Sequence, residues 1–226
     1  ARHGGSSGCV ETGCWGYEAY PLTGYFNLPK ILEVTLNNGV DPRSGKMIGI
    51  ETGDPRDFET FEELFDAYKK QVKYFEDVKV NGSNINTQLT AKYNPVPYMS
   101  LLTEDCIARG EDYNAGGARY NTTYLQGVGI GSITDALSSL KYNVYDKKRF
   151  TMDELLEAID HNFEGEKYQL IRNLVSRKTP KFGNDDDYAD DYEDEYAASS
   201  VKKGARKGGG SAGGTVKILG GVIVLL

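Results

Sequence analysis

The chain has 226 residues, a formal net charge of −7 and 39% apolar residues, enough for one domain with a core or for a portion of a larger one. The acidic balance argues against a nucleic-acid partner, and three cysteines with two histidines, His3 and His161, make neither a disulfide framework nor a zinc set. The apolar run Ile218 to Leu226 is too short to span a bilayer and residues 1–8 are Gly/Ser-rich rather than a secretory signal, so a soluble cytoplasmic protein with no membrane partner is expected.

In chain order, the glycines at Gly4, Gly5, Gly8, Gly13 and Gly16 mark a loop of the kind that hangs from strands on both sides. Asn27 to Asn38 reads as a helix, with Pro29 in its first turn and Gly39 just past its end. Lys46 to Ile50 is short enough for a strand. Thr60 with Glu63 is a capping box, opening a helix that carries Phe61, Leu64, Phe65, Tyr68, Val72 and Phe75 on one face. Val96 to Arg109 repeats the plan, with Pro97 early and Gly110 as the stop. Ser132 to Leu140 is a further helix and Tyr142 to Tyr145 a short strand. A second capping box, Thr151 with Glu154, precedes Leu155, Leu156, Ile159 and Phe163 at helical spacing. Strands alternating with helices favour an α/β fold, and there is no internal repeat.

Composition changes abruptly near the C-terminus. Eight of the eleven positions from Asp185 to Glu195 are acidic, whereas residues 201–226 hold no carboxylate, five Lys/Arg and eight glycines. A boundary therefore falls near residue 195, dividing 1–195 from an atypical basic, Gly-rich and apolar tail over 196–226. A flexible basic tail and a shifted or misjoined reading frame both describe it, and the composition favours the second. The acidic run lacks the spacing and glycine of a calcium loop.

The stretch richest in chemistry is Ser6-Ser7-Gly8-Cys9-Val10-Glu11-Thr12-Gly13. In extended backbone a cysteine and a carboxylate two positions apart share a face, and flanking glycines permit a tight loop. The pair offers sulfur chemistry beside a proton donor or acceptor. Taken alone, such a pair is more often a small buried hydrophobe next to a surface charge.

Ser-Gly-Cys-Val-Glu, followed by Gly24-Tyr25-Phe26-Asn27 and Lys30-Ile31-Leu32-Glu33, resembles the cysteine finger loop of the glycyl radical enzymes. Asp112-Tyr113-Asn114-Ala115-Gly116-Gly117-Ala118-Arg119-Tyr120-Asn121 and Gln126-Gly127-Val128-Gly129-Ile130 resemble the second half of that family's barrel. The likeness runs from about residue 1 to about residue 190. A single cysteine followed by Val10 and Glu11, rather than two adjacent cysteines, is similar to the dehydratase and C–N lyase branch, and Gly-Asn-Asp-Asp-Asp-Tyr-Ala-Asp is similar to its hydroxyproline-dehydrating members.

The resemblance implies a partial ten-stranded β/α barrel, a homodimer in the full-length parent, and a radical S-adenosylmethionine activating enzyme as partner. It also implies a catalytic Cys9 thiyl that abstracts hydrogen from a small-molecule substrate, with Glu11 as the acid or base that helps a hydroxyl leave as water. Tyr25 would touch the substrate carboxylate. The reaction implied is dehydration of 4-hydroxyproline to 1-pyrroline-5-carboxylate. Alternatives are glycerol or propanediol dehydration, choline C–N cleavage, or a non-catalytic remnant. No bound cofactor is expected in this chain. The family's radical glycine lies in an Arg-Val-x-Gly-Tyr motif, which is absent here, since Gly220 and Gly221 stand in Leu-Gly-Gly-Val. The 226-residue polypeptide is therefore expected to be inactive by itself.

Three other residues carry expectations. Cys14 reads as a bystander, Cys106 as a core residue, and Arg119 as a partner for a carboxylate within the fold. The glycines from Gly127 to Gly131 are not followed by the Lys-Ser/Thr of a phosphate loop.

Overall fold

The computed structural model describes residues 4–7 and 11–181; Cys9, the acidic run and the tail lie outside them. Strand β1 (Gly4–Ser7) pairs antiparallel with β2 (Glu11–Cys14), setting Ser7 opposite Glu11 and Gly5 opposite Gly13. Two glycines face each other there because bulky neighbours close on the hairpin at both positions. A Cβ at Gly5 would fall 2.7 Å from the Trp15 ring, and one at Gly13 would fall 3.0 Å from the Glu18 carboxylate.

Strand β3 (Glu18–Ala19) precedes β4 (Leu22–Asn27), which runs directly into α1 (Leu28–Leu36). Pro29 sits in the first turn and Gly39 follows the helix at φ 91°, as the sequence leads one to expect, and the Asn27 side chain caps the helix by accepting from the Lys30 amide at 3.1 Å. β5 (Val40–Asp41) and β6 (Lys46–Met47) form a small hairpin. The strand expected to reach Ile50 stops at Met47 because its later backbone groups have other partners. The Gly39 carbonyl accepts from both Ile48 and Gly49, and the buried Gln71 amide bonds both the N–H and the carbonyl of Ile50.

Helix α2 (Phe61–Tyr93) opens with the Thr60–Glu63 capping box, both reciprocal bonds being formed. Its 33 residues extend about 50 Å. The single helix expected over Val96 to Arg109 is instead two, α3 (Pro97–Leu102) and α4 (Cys106–Arg109). The break is made by tertiary bonds that helical spacing does not reveal. The Glu104 amide donates to the Gly16 carbonyl at 2.7 Å, and Asp105 takes φ 76° while its carboxylate receives the Arg119 guanidinium.

After β7 (Tyr120–Asn121) come β8 (Tyr124–Val128) and α5 (Ile130–Leu140), which starts two residues earlier than expected. Tyr142 to Tyr145, expected as a strand, continue the helix as a π-helical turn, Lys141–Asp146. Nothing between Leu140 and Tyr142 breaks the helix. The wider turn is closed by the Lys147 amide donating to the Tyr142 carbonyl at 2.9 Å. Buried Asn143 stabilises it by donating to Ser139 O at 3.0 Å and Thr179 Oγ1 at 2.8 Å. α6 (Met152–Asp160) has the expected Thr151–Glu154 box, and α7 (Glu166–Arg177) completes the described chain.

Two parallel pairs organise these parts, β3 with β7 and β4 with β8. β4 leads into α1 and β8 into α5, so the centre is two neighbouring strand–helix units, the repeating element of a β/α barrel. Leu28, Ile31 and Leu32 of α1, Leu64, Tyr68 and Val72 of α2, and Ile133 and Leu137 of α5 form a core with residues of α6 and α7. Phe26 packs against that core, and its register partner Gly127 stands beside Leu28. Alternation along the strands therefore turns the paired Tyr25 and Gln126 to the opposite face.

Candidate functional site

The face of β4 and β8 that points away from the helices is where the glycine-rich hairpin is held. Tyr124 lies two residues before Gln126 and so on the same side of β8. Its hydroxyl donates to the Thr12 carbonyl of β2 at 2.7 Å, and its ring meets Tyr20 edge to face, centroids 6.3 Å apart. A second attachment lies at the hairpin base. One Glu18 carboxylate oxygen accepts from the Cys14 amide at 2.9 Å, and the other accepts from the Thr122 hydroxyl at 2.6 Å. The hairpin is thus joined to both parallel pairs, to β8 by a bond spanning 112 residues of sequence and to β3 by the local Cys14–Glu18 bond.

Of the candidate site residues, Cys9 falls outside the described residues and stands in sequence between β1 and β2. The Glu11 backbone opens β2 opposite Ser7. Tyr25 is on β4, with 64% of its surface exposed, on the strand face to which Tyr124 ties the hairpin. It also borders a cleft of about 470 Å³ at the edge of β4, together with Thr23, Asn27, Lys30, Phe75 and Lys79. At that edge Lys79 Nζ donates to the Thr23 carbonyl at 2.9 Å.

The remaining polar candidates are structural. Arg119 makes a two-pronged pair with Asp105, Nε to Oδ2 at 2.9 Å and Nη2 to Oδ1 at 3.0 Å, and its guanidinium lies over the Tyr17 ring at 5.1 Å. That bond lowers the Asp105 carboxyl below the ordinary aspartate range. Cys106 is buried beside Ala19 and Ala118, and burial pushes its thiol up, away from the reactive thiolate. Cys14, half-buried at the end of β2, is a free cysteine. Gly129 precedes α5 in the left-handed region, where a Cβ would fall 2.6 Å from the Pro29 ring. Among the described residues no cluster of three His, Cys, Asp or Glu could hold a metal ion, and no helix is long and apolar enough to cross a membrane.

Sequence reasoning missed Tyr124, Glu18 and Thr122. Glu18 and Tyr124 lie on short strands and Thr122 in the link between β7 and β8, which carries little local signal, and their roles come from pairings that the parallel topology creates.

A family model described as pyruvate formate lyase-like matches residues 1–215. The chain is 65% identical over 189 residues to trans-4-hydroxy-L-proline dehydratase of Clostridioides difficile, covering 84% of this chain and 24% of that protein. The solved structure of hydroxyproline dehydratase from the same organism, with trans-4-hydroxy-L-proline bound, superposes at a TM-score of 0.78 and 63% identity, over 86% of this chain and 24% of that one. The B12-independent glycerol dehydratase of Clostridium butyricum, in its glycerol-bound form, follows at a TM-score of 0.75 and 34% identity, over 87% of this chain and 25% of that one. The chain spans about a quarter of the length of the relatives it matches.

Proposed function

We propose, from the premise that the chain belongs to the pyruvate formate lyase-like family, that it is the cysteine-hairpin segment of a glycyl radical dehydratase acting on trans-4-hydroxy-L-proline. The observation that carries the reading is the hairpin itself. Cys9 stands in sequence between two paired strands, Glu11 begins the second of them, and the hairpin is bonded to the helix-free face of a parallel strand pair. The 65% identity to a hydroxyproline dehydratase, against 34% to a glycerol dehydratase, supports the substrate.

In this reading Cys9 sulfur takes a hydrogen atom from a substrate carbon, and Glu11 gives a proton to the neighbouring hydroxyl so that it leaves as water. Substrate and 1-pyrroline-5-carboxylate differ by one water, so the hydrogen taken by Cys9 is returned and no net oxidant is consumed. Tyr25, on the same strand face, is the residue proposed to meet the substrate carboxylate. The family's radical glycine motif is not in this sequence, so the one-electron oxidant of Cys9 belongs to other sequence of the assembled enzyme. A radical S-adenosylmethionine activating enzyme and a second copy of the full-length chain are the partners proposed for that enzyme. The protein's contribution is to orient the substrate and shield the reaction from water and oxygen.

The test is a chimera in which the 189 matched residues replace their counterparts in the C. difficile enzyme, activated without oxygen. Cys9→Ala should abolish formation of 1-pyrroline-5-carboxylate. Glu11→Gln should lower kcat by roughly 10²–10⁴-fold, the usual worth of a positioned acid or base. Full turnover by either variant would remove that residue from the chemistry.

A further inference from the structure

We propose that the second half of α2 is a seat for the apolar face of another helix of the full-length enzyme, from sequence outside these 226 residues, drawn down onto Gly82. The proposal rests on membership of the family and not on the substrate. Along α2 one seam of positions recurs at alternating steps of three and four, the spacing by which helices pack on one another. Phe61, Leu64, Tyr68, Gln71 and Phe75 make its first half. The first four are buried, and Phe75 packs against the same core.

The seam runs on through Val78, Gly82, Ile85 and Leu89, and there the fold leaves it open. Val78, Ile85 and Leu89 are 54%, 60% and 51% exposed, and a Cβ added at Gly82 would meet nothing within 4 Å. Glycine inside a helix weakens it, and at Gly82 it makes room for no neighbour among the described residues. Its bare backbone, between apolar positions on either side, suits a helix that approaches closely from outside. Beside it Ser83 is buried, yet its hydroxyl has no hydrogen-bond partner among the described residues. Both residues line the cleft against β4. A buried hydroxyl left unpaired is destabilising, and a polar group on the docked helix would satisfy it. The chain spans about a quarter of the length of its relatives. The helix is assigned to the remainder rather than to a second copy, because the open half continues a seam whose first half the same polypeptide closes.

Hydroxyl-radical footprinting read by mass spectrometry, applied to the 226-residue chain and to the full-length chimera, measures this cover directly and needs no turnover. Ile85 and Leu89 should label readily in the 226-residue chain and fall in the chimera to the level of buried Leu64. Equal labelling of Ile85 and Leu89 in the two proteins overturns the proposal. Protection that grows with the concentration of the 226-residue chain also overturns it, because a second copy then occupies the seam.

Gly82→Leu adds a test of sign. In the 226-residue chain the position is open, and a strong helix former should raise the thermal midpoint by about 2–4 °C. In the chimera the same side chain stands where the docked helix lies, so the midpoint should fall. A shift of the same sign in both proteins overturns the proposal. If the Gly82→Leu chimera fails to fold, the footprint of the unsubstituted chimera decides. A chimera that forms no product from hydroxyproline but protects Ile85 and Leu89 removes the substrate reading and supports the docked helix.

Discussion

Asp105 shows how one residue ties distant sequence together. Its carboxylate receives both prongs of Arg119, its backbone takes φ 76°, and the residue before it bonds Gly16. The pair joins the α3–α4 break to the residue just before β7. Its folded-state carboxyl titrates below the ordinary value, the Arg119 hydrogen bond being the main cause. The contribution is therefore present above the unfolded pKa near 4 and is lost as pH falls through the lowered folded value. Asp105→Asn keeps a side chain that tolerates positive φ while removing the charge. It should lower the denaturation midpoint at pH 6, with the difference from wild type shrinking below pH 4; a difference independent of pH would refute the ion-pair account. That Arg119 would pair with a carboxylate was legible in its sequence setting, but the partner was not. The same limit applies to Tyr124 and Thr12, which lie 112 positions apart and meet only because β4 and β8 pair in parallel.

At the level of elements, what could be read in advance was what closes within four residues. Both capping boxes, Pro29 in the first turn of α1 and the apolar stripe of α2 form as expected because each depends on neighbours one turn away. Thr60→Ala should cost about 1 kcal/mol by loss of its cap. Leu64→Ala, at a fully buried position in the core, should cost about 2–5 kcal/mol. Chemical denaturation of the two variants checks the order; a larger loss from Thr60→Ala would contradict this account of what holds α2. What could not be read was set by tertiary partners: the halt of β6 at Met47 by Gly39 and Gln71, the break between α3 and α4 by Gly16 and Arg119, and the π-helical turn around Asn143. The hairpin strands, β4 and β8 were hidden as well, because strands of four to six residues rich in glycine carry little periodic signal.

On the scale of the whole molecule, α3 and α4 present Tyr98, Leu101, Leu102 and Ile107 to solvent, each at least 60% exposed. An apolar group of this kind favours association. The 226-residue chain should therefore self-associate in sedimentation velocity, and Leu101→Lys with Ile107→Lys should shift it toward monomer; a monodisperse monomer without those changes would show that the face is tolerated by itself. The same chain, incubated anaerobically with an activating enzyme, should form no 1-pyrroline-5-carboxylate, because the radical glycine motif is not in its sequence. The measurement that tests the central claim most directly is competition among trans-4-hydroxy-L-proline, glycerol and 1,2-propanediol for the activated chimera. The account predicts that hydroxyproline is dehydrated and the two diols are left essentially untouched. A chimera with normal radical content that dehydrates a diol in preference, or none of the three, would contradict it.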